Sequence, residues 1–139
     1  MAWKIGDEGF EMVLSSYVPK IIDEHITGAL EPLLARAPEL AEAPSEAITH
    51  WAIHPGGRSI LDKVEAKLGL SEKQLVPSRR VLREHGNMSS ATILFVLKDI
   101  LESAEASSEQ GPERVCAMAF GPGLTVETGL MTVRPAAVS

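Results

Sequence analysis

The stretch "AITHWAIHPGG", residues 47–57, decides the fold. Residues 47–54 are compact and apolar, with β-branched and aromatic members, and Pro-Gly-Gly stops them, which is the pattern of a buried strand. Directly after it, Ile60, Leu61, Val64 and Leu68 recur at helical spacing, with Ser59 placed to cap the helix and Gly69 to end it. A buried strand turning through glycine into a helix is a building unit of layered α/β domains. His54 stands at that turn. The proline behind it favours extended backbone and projects the ring from the strand end. On residue chemistry alone, the imidazole is either a catalytic group or a hydrogen-bonded polar strand end.

Upstream, "GFEMVLSS" (9–16) reads as a short strand. From Val18, apolar residues at Ile22, Ile26, Ala29, Leu30 and Leu33 predict a helix, with Pro19 tolerated in its first turn. Residues 35–46 hold two prolines and no apolar face, so they read as a surface connection. Downstream, a less regular helical stretch spans 72–85. "GNMSSATILFVLKDILES" follows, with Ser89 or Ser90 as cap. Its "ILFVL" core is apolar on nearly all sides, which predicts a helix buried between layers. Residues 104–113 form a polar loop, and "RVCAMAF" and "LTVETGLMTV" are strands joined by the tight "GPG" at 121–123. The order β-α-β-α-α-α-β-β predicts a mixed sheet covered by helices, an α/β layered domain.

The chain of 139 residues, 45% hydrophobic, has the size of one domain with its own core. A net charge of −6 argues against non-specific nucleic-acid binding, which needs clustered cations. Arg79, Arg80 and Arg83 form a local basic cluster flanked by acids, read as a solvated helix face rather than an anion site. No apolar run approaches the roughly 18 residues of a membrane span, and no signal-peptide pattern opens the chain. The single cysteine, Cys116, excludes an internal disulfide and fits a reducing compartment. A cytoplasmic protein is the expectation.

Three glycine-rich turns stand out: "HPGG" (54–57), "HGNMSS" (85–90) and "AFGPG" (119–123). Each adjoins a regular element, so all three can gather at one sheet edge, where layered α/β folds bind ligands. Asn87, just before a helix start, reads unaided as a turn or cap residue. His50 and His54 share a strand face but lie about 13 Å apart, so a metal site is rejected. His25 and His85 read as surface or helix-end residues. Cys116 lies mid-strand without the electropositive helix N-terminus that a thiolate nucleophile needs, and reads as a small buried hydrophobe. Met12, Met88, Met118 and Met131 read as core or pocket lining.

"WAIHPGGRSILDKVEAKLGL", "RRVLREHGNMSSATILFVL" and "AFGPGLTVETGLM" resemble, in order and separation, the C-terminal half of type III polyketide synthases, the chalcone and stilbene synthase family. The resemblance runs from about Trp3 to Val133 and implies a thiolase-like half-domain. It further implies acyltransferase chemistry, the decarboxylative condensation of a starter acyl-CoA with malonyl-CoA. A cysteine thiolate carries the acyl group while a His/Asn pair stabilises the malonyl enolate. By that resemblance His54 and Asn87 are the catalytic pair. Gly57 and Ser59 line the coenzyme A approach, and Ser89 shapes the cyclisation cavity. Phe120, Gly121, Pro122 and Gly123 scaffold that cavity, and Met12 matches a pocket position. No metal or cofactor is implied beyond coenzyme A thioesters as substrates.

Two departures qualify the resemblance. Ala119 replaces the first glycine of the family's GFGPG loop. More importantly, the family's nucleophilic cysteine precedes its histidine, whereas Cys116 follows both His54 and Asn87. The expectation is a C-terminal half that lacks its N-terminal partner and is inactive alone. One face should then be an uncovered apolar surface, and a homodimer is expected. The alternative is a non-catalytic assembly module that pairs with a separate N-terminal half or with itself.

Overall fold

The computed structural model describes residues 2–7, 9–13, 18–106, 111–121 and 125–134. Along the chain lie β1 (Ala2–Gly6), β2 (Gly9–Val13), α1 (Val18–Leu34), α2 (Pro44–Ala47), β3 (His50–Ile53), α3 (Arg58–Leu68), α4 (Glu72–His85), α5 (Thr92–Ala106), β4 (Glu113–Gly121) and β5 (Thr125–Val133). Short 3₁₀ turns at Pro38–Leu40 and Ser89–Ala91 precede α2 and α5. β1 and β2 form their own antiparallel hairpin. The main sheet has the order β3-β4-β5, with β3 parallel to β4 and β4 antiparallel to β5. A parallel pair needs a long crossover, and α3, α4 and α5 supply it.

Strand alternation assigns each face of the sheet its own core. Trp51, Ile53, Cys116 and Met118 face Ile22, Ile26 and Leu30 of α1 and Leu61 and Val64 of α3. Ala52 and Val115 point the other way, onto Val96 and Ile100 of α5. The result is a helix–sheet–helix sandwich, the layered α/β arrangement that the sequence predicts. α4 serves both cores, Leu75 in the first and Val81 in the second, because it lies along the outer edge of β3. There the buried Ser78 hydroxyl accepts the Ile53 N–H at 3.1 Å, taking the place of a neighbouring strand.

The helix ends follow local chemistry. Gly69 takes the left-handed conformation (φ 63°) and lets the Leu70 N–H reach back to the Glu65 carbonyl, as predicted for the end of α3. At the start of α4, the Ser71 N–H donates to Gln74 Oε1. The Gln74 amide then donates to the Ser45 and Ile48 carbonyls, which pins α4 to the segment before β3.

Several expectations are corrected. The first strand is preceded by another, β1, that the sequence reading did not separate out. The expected strand over 9–16 ends at Val13, with 14–17 outside the described residues. The strand expected over 47–54 is shorter, because Pro44 starts a helical turn through Ala47 and leaves His50–Ile53 as β3. Ser59 does not cap α3. Gly57 holds that place, and its carbonyl accepts the Ile60 N–H at 3.1 Å. α5 runs on to Ala106, into the expected loop. It is not buried all round either: Leu94, Phe95 and Leu101 are 64%, 42% and 47% exposed, since only one side of α5 meets the sheet.

Replacing Ser78 with alanine strands the buried Ile53 N–H, so Ser78→Ala is expected to lose about 1–3 kcal/mol, read as a lower urea midpoint with an unchanged denaturant slope.

Candidate active site

The parallel ladder continues one bond past β3. The His54 N–H donates to the Met118 carbonyl at 2.8 Å, and the Gly56 N–H then turns back onto the His54 carbonyl at 2.9 Å. Pro55 is buried in this turn. The imidazole is thereby held, half-buried, at the C-terminal edge of the sheet. The second loop begins where α4 ends. Gly86 at φ 70° lets the chain reverse while its N–H bonds the Leu82 carbonyl at 3.0 Å, and Asn87 follows.

The two loops are tied to each other. His54 Nε2–H donates to the Ser89 carbonyl at 2.8 Å, and the Asn87 side-chain amide donates to the Gly56 carbonyl at 3.3 Å. Asn87 Oδ1 accepts the Ser89 N–H at 2.9 Å, so the asparagine is fixed at both ends of its amide. Ser89 sits at φ 60°, a left-handed conformation that costs a serine about 1–2 kcal/mol. Thr92, at the first turn of α5, accepts the Met88 N–H and donates to the Ser89 carbonyl. Neither Ser89 nor Ser90 caps α5 through its side chain: Ser89–Ala91 form a 3₁₀ turn, and the Thr92 N–H bonds the Ser89 carbonyl instead.

A carbonyl only accepts, so the Ser89 oxygen requires a hydrogen on Nε2, and a neutral His54 ring then carries its lone pair on Nδ1. The Asn87 amide nitrogen has two hydrogens, of which Gly56 takes one. A basic ring nitrogen and an amide donor therefore stand on two cross-linked loops. That pairing suits a site that must take a proton and then steady a negative oxygen.

Ala119–Gly121, the described part of the third glycine-rich stretch, reach the same edge. β4 runs parallel to β3 and pairs Phe120 with Val126 and Gly121 with Thr125, beyond the Met118 that holds His54. Phe120 is half-buried against the larger core. Pro122 and Gly123 lie outside the described residues. Gly57 precedes α3 with extended backbone and open space where a side chain would stand, while Ser59 is exposed in the first turn. Met12 pairs with Trp3 in the β1–β2 hairpin, and its side chain lies outside the described residues.

Several other charged groups have structural partners. His50 pairs with Glu113 at the far end of the sheet from His54. Arg79 bonds Asp62 and Glu65, and Arg80 bonds Asp99. The hydrogen bond to Glu65, against the opposing effect of burial, raises the Arg79 guanidinium above its ordinary value. The basic cluster is thus an ion-paired helix face. Cys116 is fully buried within β4, and burial pushes its thiol up from 9.0 to about 12.

The sequence reading singled out His54, Asn87 and Ser89, and the structure brings them together. It missed Thr92 and the Gly56 carbonyl, both of which hold the pair in place. A hydroxyl at the start of an apolar run was the available signal for Thr92.

Because its thiol stays protonated, Cys116 is expected to resist a disulfide reagent in the folded chain and to react on unfolding. The sign of its effect on stability follows. The folded state holds a proton that the unfolded state releases, so this contribution is intact below pH 9.0 and is lost as pH rises towards about 12. Urea titrations of the wild type and Cys116→Ala across that range measure it.

Comparison with known proteins fits this geometry. The sequence pattern of the C-terminal domain of chalcone and stilbene synthases matches residues 1–135. "Type III polyketide synthase 10" of Oryza sativa subsp. japonica is 36% identical over 129 residues, which is 89% of this chain and 32% of that protein. The crystal structure of PKS-I from the brown alga Ectocarpus siliculosus superposes with a TM-score of 0.81 at 29% identity, covering 96% of this chain and 35% of that one. This chain thus spans about a third of the length of each relative. With the domain pattern matched over nearly its whole length, the chain belongs to the chalcone and stilbene synthase family, in the family's C-terminal domain.

Proposed function

We propose that this chain is the C-terminal part of an acyltransferase that condenses a starter acyl-CoA with malonyl-CoA. The observation that carries the reading is the pair of cross-loop hydrogen bonds, His54 to Ser89 and Asn87 to Gly56. They hold a basic imidazole and an amide donor beside each other at the sheet edge where family resemblance puts the reaction. His54 Nδ1 takes the proton of a cysteine thiol on an N-terminal half outside this chain. The resulting thiolate attacks the starter thioester and releases coenzyme A. Malonyl-CoA then loses carbon dioxide, and the electron pair of the broken C–C bond moves onto its thioester oxygen. The His54 imidazolium and the Asn87 amide donate to that oxygen. The enolate carbon attacks the acyl group, and the thiolate leaves.

Cys116 does not supply that nucleophile, because its thiol is buried and stays protonated. Gly57 and Ser59 lie at the start of α3, along the proposed coenzyme A approach. Ser89, Phe120 and Gly121, with Pro122, Gly123 and Met12, shape the product cavity in this reading. No metal or cofactor enters the mechanism, and the setting is the cytoplasm.

A second reading, an assembly module, is favoured by a specific observation. Leu94, Phe95 and Leu101 are large apolar side chains exposed on the outer side of α5, beside the ion-paired Lys98 and Glu102. This side fits either the N-terminal half or a second copy of the chain.

The test of the first reading is a chimera in which this chain replaces the matching segment of the rice relative. His54→Ala and Asn87→Ala are each expected to slow malonyl-CoA decarboxylation by about 10²–10³, since each removes a donor to the developing oxyanion. Undiminished decarboxylation in both variants overturns the reading. So does transfer of an acyl group onto Cys116 in the isolated chain. For the second reading, sedimentation of the isolated chain is expected to show concentration-dependent self-association that Leu94→Glu abolishes. A monomer at all concentrations counts against it.

A further inference from the structure

We propose that Thr92 is a positioning residue for His54, acting through the Ser89 carbonyl. The inference rests on the reading of His54 given above and adds a residue which that reading does not use. Three observations meet at one peptide group. Among the described residues, Ser89 alone is a non-glycine at positive φ (60°), at the start of the 3₁₀ turn that leads into α5. That oxygen accepts from His54 Nε2 at 2.8 Å, from Thr92 Oγ1 at 2.9 Å and from the Thr92 N–H that closes the 3₁₀ turn, so Thr92 holds it with both side chain and backbone. Thr92 is 0% exposed, and its hydroxyl oxygen also accepts the Met88 N–H at 2.8 Å.

These bonds form a directed chain. The Met88 N–H occupies the Thr92 oxygen, and the single Thr92 hydroxyl hydrogen then points to the Ser89 oxygen. That oxygen fixes the hydrogen of His54 on Nε2. Water does not compete for the hydroxyl, because Thr92 is buried. One bond to a carbonyl on an exposed turn leaves the ring able to swing. The Thr92 N–H holds the oxygen on one side, and the Thr92 hydroxyl adds the donor that, with it, fixes the oxygen's direction and so the ring plane and tautomer. Reacting groups need placement within about 0.5 Å, and a misplacement of about 1 Å costs up to about 10²-fold in rate.

Capping of α5 alone predicts that loss of the hydroxyl changes stability and nothing at His54. The nitrogen-15 spectrum of the histidine rings, in alkaline buffer where imidazole is neutral, separates the two. The His54 signals are assigned by their absence in His54→Gln. The wild type and Thr92→Ser are expected to carry the His54 hydrogen on Nε2. Thr92→Val keeps the shape but lacks the hydroxyl, and is expected to give a mixture of both tautomers, as is Thr92→Ala. An unchanged His54 signature in either folded variant overturns the proposal. A wild-type ring protonated on Nδ1 also overturns it, and that result needs no variant to fold. In the chimera, Thr92→Val is expected to lower kcat for decarboxylation roughly 10- to 100-fold at constant KM, with Thr92→Ser restoring it. His54→Ala in the same chimera tests the underlying mechanism separately, since its retained activity would leave the tautomer result standing.

Discussion

The parallel pairing of β3 with β4 is the constraint on which the rest of the structure depends. His50 meets Val115 and Ile53 meets Met118, so two segments far apart in sequence lie side by side in register. That register sends alternate side chains to two cores and forces the intervening chain into three crossover helices. It also places the ends of β3 and β4 at one edge. His54 is the next residue on the ladder, and its N–H is held by Met118, so its main chain has the rigidity of the sheet while its ring stands in a loop.

The site is built from backbone as much as from side chains. The carbonyls of Gly56 and Ser89 orient the two functional groups, and the carbonyl of Met118 sets the height of the first. Carbonyls are fixed dipoles that need no proton of their own, so they orient an amide and an imidazole without adding a competing charge. Ion pairs are kept elsewhere, on the α3–α4 face and at the far end of the sheet. The cost of the left-handed Ser89 is met by the three donors its carbonyl gathers, the His54 ring and the Thr92 hydroxyl and N–H.

Much of this was legible in the residues. Period and punctuation located α1, α3, α4 and the β4–β5 hairpin, because apolar spacing and glycine stops are local signals. Pro44 hid the shortening of β3, since a strand-like composition and a proline-started helical turn compete over the same few residues. The sequence also overstated the burial of α5. "ILFVL" is apolar all round, but one sheet covers only one side, and composition does not say how many layers a chain contributes. At the site, the residue types at His54 and Asn87 were visible, whereas their mutual support was not. It runs through main-chain oxygens, which every sequence has, and through the φ of one serine, which no composition encodes.

The burial of Cys116 has a consequence for chemistry carried out beside this chain. It is the only thiol in the 139 residues, and it is sealed between strand neighbours and α1. The folded chain therefore presents no exposed thiol to thioesters or thiol labels. In any assembly that includes it, an acyl group or a label captured on sulfur reports the partner's cysteine, against a blank background.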